Sequence, residues 1–194
     1  MNCRNCGAAM ELMGARRYFF CRHCGSFHFP DTVDEGVRVL KREHGQSPCG
    51  VCKLPLATAV LDDGFDAEYC ERCRGVLLPR AQFAELVERR RAWASTPPVV
   101  PSVIDHRELE RSIQCPGCST NMSTHPYYGP GNVILDTCDR CNLVWLDFAE
   151  LKQIVDAPGQ DRGRRERPPR DRTAKQPDVL QILANQFGRR EHDD

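Results

Sequence analysis

The chain's capacity for chemistry is concentrated in twelve cysteines, and all of them fall in Cys-x-x-Cys pairs. The pairs are Cys3/Cys6, Cys21/Cys24, Cys49/Cys52, Cys70/Cys73, Cys115/Cys118 and Cys138/Cys141. Taken two by two they enclose 14, 17 and 19 residues. A two-residue gap lets a tight turn present both sulfurs to one ion, and a hairpin brings a second such turn alongside. Four thiolates then close a tetrahedral shell, which leaves no open position for water or substrate. The second and third spacings are those of four-cysteine zinc sites, and the first is one residue short. Three structural Zn²⁺ ions per chain, held by all twelve cysteines, are therefore expected.

Other metal and redox chemistries fit less well. Iron is admitted by the geometry alone, but the close grouping of ferredoxin cysteines is missing. A thioredoxin-like pair would need a βαβ setting that the sequence does not offer. No stretch approaches the ~18 apolar residues of a membrane span. The start, Met-Asn-Cys, has no apolar signal core. A cytoplasmic, reducing setting is expected, where paired cysteines are ligands before they are disulfides. The histidines (His23, His28, His44, His106, His125 and His192) are not needed as ligands. His23, between two cysteines, is placed to support a sulfur from outside the shell. No nucleophile–base constellation is visible. The one tempting acid pair, Asp147 and Glu150, is accounted for as a helix cap. No catalytic residue and no small-molecule substrate are expected; the chain reads as a non-enzyme.

The elements that must position these cysteines are short. Units of about 45 residues are too small to be held by an apolar core alone, so metal has to supply the rest. The first unit, 1–45, has a hairpin around Gly14 and a half-buried Phe27/Phe29 strand. Its Thr32-Val33-Asp34-Glu35 capping box should start a helix carrying Val33, Val37 and Leu40. The second, 47–95, has a hairpin at Asp62-Asp63-Gly64 and a helix after Pro79 with Phe83, Leu86, Val87 and Trp93 on its buried side. The third, 113–157, turns at Gly129-Pro130-Gly131-Asn132. Its helix buries Phe148, Leu151, Ile154 and Val155. A Pro-rich linker, 96–112, should be extended and hold unit three at some distance from the other two. Residues 158–176, rich in Arg and Pro, should be disordered, and 177–190 should form a short amphipathic helix. The fold class expected is thus a small metal-stabilised α+β protein of tandem zinc ribbons, each a β-hairpin between two knuckles followed by a short helix.

The run Cys138-x-x-Cys141 with Trp145, Leu146, Asp147, Glu150 and Leu151 resembles the bacterial zinc-ribbon family called the transcription factor IIB-type zinc finger. Unit three has Leu143 where that family has Gly. Unit two keeps Cys70, Cys73, Gly75 and Leu78 but has Leu77 and Pro79 in place of Trp and Asp. Unit one is a distant copy that keeps the cysteines and the apolar strand. The resemblance implies a zinc-binding ribbon fold and an interaction role in nucleic-acid transactions such as transcription, without a mechanism.

Formal charge is zero, from 27 basic and 27 acidic side chains, and zinc-bound thiolates would make the loaded protein net acidic. A globally basic nucleic-acid binder is excluded, so phosphate contacts would need local patches. The candidates are Arg89, Arg90 and Arg91, whose simpler role is to complement a helix dipole, and the tail arginines Arg164, Arg165 and Arg167. Tyr18, Phe19, Tyr127 and Tyr128 are possible stacking residues. Leu180, Leu183 and Phe187 of the terminal helix point to the alternative, a protein-protein scaffold without nucleic-acid binding. A thiol redox or zinc-handling protein is a third reading. The partner, protein or nucleic acid, is open at this stage.

Overall fold

The computed structural model describes residues 1–14, 17–62 and 64–164, without the side chains of 41–46. The expected helix over 177–190, with Leu180, Leu183 and Phe187, lies outside the described residues, as do Arg165 and Arg167.

Unit one folds as a small three-stranded antiparallel sheet, β1 (Glu11–Met13), β2 (Tyr18–Phe20) and β3 (Phe27–His28). Its aromatic residues make its core. Tyr18 lies edge-on to Phe27 and Phe29, with ring centroids 5.3 and 5.5 Å apart.

The helix expected at the end of unit one is instead a strand, β4 (Val37–Pro48). Gly36 takes φ +70°, which breaks any helix between Glu35 and Val37. Beyond it Val37 and Val39 pair with Leu61 and Ala59 of the next strand. Glu35, expected to cap that helix, is drawn into a different bond described below. Tertiary pairing of β-branched residues thus overrides a local capping signal.

Units two and three are built alike and are fused. Unit two supplies β5 (Pro55–Leu61), β6 (Phe65–Tyr69), β7 (Val76–Pro79) and α1 (Arg80–Ala92). Unit three supplies β8 (Ser123–Pro126), β9 (Ile134–Cys138), β10 (Leu143–Leu146) and α2 (Glu150–Asp156). The last strands of the two units pair antiparallel, with Trp145 opposite Leu77 and Val144 opposite Leu78. One seven-stranded sheet results, in the order β4-β5-β6-β7-β10-β9-β8. The expected separation of unit three is therefore wrong. The linker is extended, with a 3-10 turn at His106–Glu110, but it runs back along the sheet. Val99 N–H donates to Asp156 O at 2.8 Å, and Asn132 Nδ2 to Ser102 O at 3.1 Å.

The two helices share one face of this sheet. Phe83, Leu86 and Val87 of α1 and Leu151 and Ile154 of α2 close the main core over Leu61, Phe65, Val76, Leu78, Leu135, Val144 and Leu146. Neither ribbon has this much apolar surface alone; the fusion makes a core of useful size. Unit one docks where the two meet. Phe29 packs edge-on to Phe148 at 4.6 Å, and the Arg74 guanidinium lies over both rings. Residues 158–164, expected to be disordered, also fold back onto this body. Arg162 Nε donates to Val155 O at 2.9 Å and its Nη2 to Thr96 Oγ1 at 2.9 Å.

Candidate metal centres

All six Cys-x-x-Cys turns share one backbone device. In five of them the N–H of the first cysteine reaches the carbonyl five residues on, and its own C=O accepts the N–H four residues on. Cys3, for example, pairs with Ala8 at 2.8 Å and Gly7 at 2.9 Å, and Cys115 with Thr120 and Ser119 at 2.8 Å each. The fourth residue on takes a left-handed conformation in every copy: Gly7, Gly25, Lys53, Arg74, Ser119 and Asn142 have φ between +55° and +76°. Only two of the six are glycine, so four turns hold a side chain where glycine would cost less. The tightness of the turn aims both sulfurs to one side. Backbone amides also point at sulfur, as Val51 N–H does to Cys49 and Cys141 N–H to Cys138, both at 3.4 Å.

The hairpins then bring the turns together in three sets: Cys3, Cys6, Cys21 and Cys24; Cys49, Cys52, Cys70 and Cys73; Cys115, Cys118, Cys138 and Cys141. Within each set the four sulfurs lie within 4.8 Å of one another. The closest pairs are Cys52–Cys70 at 3.3 Å and Cys3–Cys24, Cys6–Cys21, Cys49–Cys73 and Cys118–Cys138 at 3.6 Å. A tetrahedron with Zn–S bonds of about 2.3 Å has an edge of about 3.8 Å, so the donor sets fit the ion. Their protonation says the same. Hydrogen bonding to Thr120 holds the Cys118 thiol down at about 6, while Cys141, against the sulfur of Cys118, is pushed up to about 12. Cys73 is likewise driven upward by the sulfurs of Cys49, Cys52 and Cys70. Four thiols this close cannot all ionise unless a cation joins them. These are three four-thiolate sites suited to Zn²⁺, one ion each. The first is the most open, with Cys6 exposed, and the second the most enclosed. Among the described residues, no histidine belongs to these sets.

Sites two and three share an apolar wall of Leu56, Leu77, Ile113, Met122 and Trp145. Trp145 is 0% exposed, and its Nε1 donates to Asp147 Oδ1 at 3.0 Å. That bond corrects the expected role of Asp147. Half of the capping box forms, since Asp147 N–H donates to Glu150 Oε2 at 2.7 Å. The Asp147 carboxylate itself serves Trp145 and the half-buried Arg111, which also lies 3.6 Å from Asp136. Burial alone would lower the Arg111 pKa, but Asp147 and Asp136 more than offset it and hold the side chain charged. The first residue before α2 is Ala149, in a left-handed conformation with φ +69°. Its N–H donates to Glu35 Oε1 at 2.9 Å, across 114 residues of chain. In unit two the position of Asp147 is held by Pro79, which has no N–H. Gln82, the counterpart of Glu150, accordingly has a buried Oε1 without a hydrogen-bond partner.

The arginine run also differs from expectation, because Arg90 and Arg91 are engaged within the fold. Arg91 is 1% exposed. It donates to Ile154 O at 2.6 Å and Ala157 O at 2.9 Å, and pairs with Asp161. It therefore satisfies the end of α2 rather than of its own helix. Arg90 holds Asp62 and the carbonyl of Glu35, and Arg89 lies over the rings of Phe65 and Trp93. The expectation of a phosphate patch at Arg90 and Arg91 is thus corrected. Arg164 is exposed. Among the aromatics proposed for stacking, Tyr18 is buried, Phe19 and Tyr127 are half-buried, and Tyr128 is 92% exposed. No sequence signal pointed to Arg111 or Asp136, or to the bond of Glu35 with Ala149 in place of a local cap; each acts through a partner far away in the chain.

Residues 114–157 match the family described as "Transcription factor zinc-finger". The match falls on unit three, the copy in which the Trp-Leu-Asp-x-x-Glu run is complete. No curated protein and no solved structure matched the chain. Among the described residues, no helix is long and apolar enough to cross a membrane.

Proposed function

We propose that this chain, whose residues 114–157 carry a transcription factor IIB-type zinc finger, is a cytoplasmic interaction module in nucleic-acid transactions such as transcription, and works by contact rather than catalysis. The family match is the observation that carries the nucleic-acid part of this reading. The metal sites support its non-catalytic part: each offers four thiolates to an ion that takes four ligands, so zinc here would shape the protein rather than bind a substrate.

A second reading, a scaffold for protein contacts, is favoured by the inward-facing arginines. With Arg90 and Arg91 engaged internally, two of the three arginines of that row are taken up within the fold. One measurement divides the two: fluorescence anisotropy of labelled duplex DNA and single-stranded RNA with the zinc-loaded chain at 50 and 200 mM salt. Direct phosphate binding should weaken by about tenfold or more over that range. Absence of binding at the lower salt would refute direct nucleic-acid contact and leave the scaffold reading.

A further inference from the structure

We propose that a groove beside α1 is the docking site of the chain's own C-terminal segment, residues 177–190. The groove has a volume of about 390 Å³ and runs between α1 and the outer strands β8 and β9. Phe83 and Ala84 form one wall, Leu135 and Thr137 the floor, and His125 and Tyr127 the far side. The ion pair of Arg80 with Asp139, at 2.6 Å, crosses one end.

The internal symmetry of the fold shows that such a groove can be covered by another part of the same chain. Trp145 and Leu77 occupy equivalent places in their repeats and face each other across β7 and β10, so an approximate twofold axis passes between them. Under this axis Thr137 corresponds to Tyr69, Asp139 to Glu71 and Arg80 to Phe148. Tyr69, Glu71 and Phe148 line a second cavity, beside α2, together with Val33, Glu35 and Val37. There a segment from unit one crosses the groove. Val37 packs on the main core, Glu35 accepts the Ala149 N–H, and the chain continues as β4 to cover β5. On the unit-three side β8 is the last strand of the sheet, and no segment among the described residues covers the groove next to it.

Chain length and geometry identify the occupant. At its described end the chain lies against the C-terminus of α1, where Gly163 N–H donates to Arg91 O at 2.9 Å. From there to Arg80 the helix rises about 17 Å. The twelve residues 165–176 span up to about 40 Å when extended, more than enough. In the following segment Val179, Leu180, Leu183 and Phe187 fall on one helical face, and a helix this short needs a surface to hold it. A helix about 10 Å wide covers two strands spaced 4.7–4.9 Å apart. Because α1 rests on β6, β7 and β10, the strands left beside it on the unit-three side are β9 and β8. This inference is independent of which partner the protein has.

The test uses the full zinc-loaded chain with a benzoylphenylalanine photo-crosslinker in place of Phe187, and maps the products by mass spectrometry. Intramolecular links to α1 or β8, around Ala84, His125 and Tyr127, are expected. Links to another face, links only between chains, or no links would overturn the proposal. As a second readout, Ala84→Glu places charge on the exposed groove wall. It should speed protease cleavage within 165–176 at least fivefold, with zinc content and thermal midpoint kept. Unchanged cleavage in that folded variant would count against docking.

Discussion

The Trp145 indole lies directly on the Cα of Gly75, so close that a methyl group there would occupy the space of the ring. This contact between two repeats accounts for their unequal sequences. In repeat alignment Gly75 corresponds to Leu143 and Leu77 to Trp145. The Gly and the Trp of the family pattern are thus divided between units, one each, and meet across β7 and β10. Where Leu77 stands in place of Trp, the other unit has no need of Gly, and Leu143 fits. Gly75→Ala should therefore destabilise the zinc-loaded protein by about 2 kcal/mol, a typical overpacking cost. Combining it with Trp145→Leu should recover part of that loss. A urea-unfolding double-mutant cycle checks this; strictly additive losses would refute the contact as the cause.

Arg91 makes a second link between the repeats. Its guanidinium meets the carbonyls at the end of α2 and the Asp161 carboxylate, which it holds below the usual carboxylate range. Arg91→Met keeps the bulk of the stem but leaves buried carbonyls without donors, at a cost of about 2–4 kcal/mol. Hydrogen exchange should localise the effect, with amides of α2 losing protection before those of β5 and β6. A loss spread evenly over the sheet would argue against the capping role.

The metal sites were legible because their cause is local. A Cys-x-x-Cys turn fixes its own geometry, and the hairpins between pairs follow from Gly14, Gly64 and Gly131. The helix after Pro79 was legible for the same reason. What could not be read was how the units meet. Nothing local to β7 or β10 states that they pair, since each is a short apolar strand that a lone ribbon could leave at its edge. The strand over 37–48 failed as a helix because its partner β5 lies in another unit, and Glu35 failed as a cap because Ala149 outbids the local amide. Asp147 was half legible: its N–H bonds Glu150 as the motif implies, but its carboxylate answers to Arg111, 36 residues upstream. The arginine run was read as complementing its own helix, or as a phosphate patch, because sequence cannot show that a helix end 63 residues away needs a donor.

Glu35 gives the fold a pH dependence of definite sign. It is 7% exposed, and burial raises its pKa to about 7, against the opposing pull of the Ala149 N–H, Arg90 and Arg74; Asp147 pushes it further up. An acid whose folded pKa lies above its unfolded value of about 4.5 favours the protonated folded state. Its contribution is complete below pH 4.5 and is lost as pH rises towards 7, by an amount on the order of 2–3 kcal/mol. Glu35→Gln keeps an acceptor for Ala149 but no charge. The variant should gain stability relative to wild type as pH rises from 5 to 8, the difference between the two cancelling any effect of pH on the zinc sites. Unfolding curves at each pH, with zinc held constant, test this; parallel curves would show that Glu35 does not titrate in the window.

Metal loss should separate the sites by how they share a core. Elemental analysis should find three zinc ions per chain. Cys6 is exposed at the rim of site one, whose neighbours are the small sheet β1-β2-β3, so Cys6→Ser should weaken one ion and loosen unit one while the seven-stranded sheet persists. Cys73 is buried in the wall that sites two and three share with Trp145. Because site binding energy is folding energy in units this small, Cys73→Ser should release the second ion and weaken the third with it. The readouts are zinc stoichiometry and the fluorescence of Trp145, compared with a Trp93→Phe background. Retention of two tightly held ions and an unchanged Trp145 signal in Cys73→Ser would show that sites two and three are energetically separate, despite the apolar wall between them.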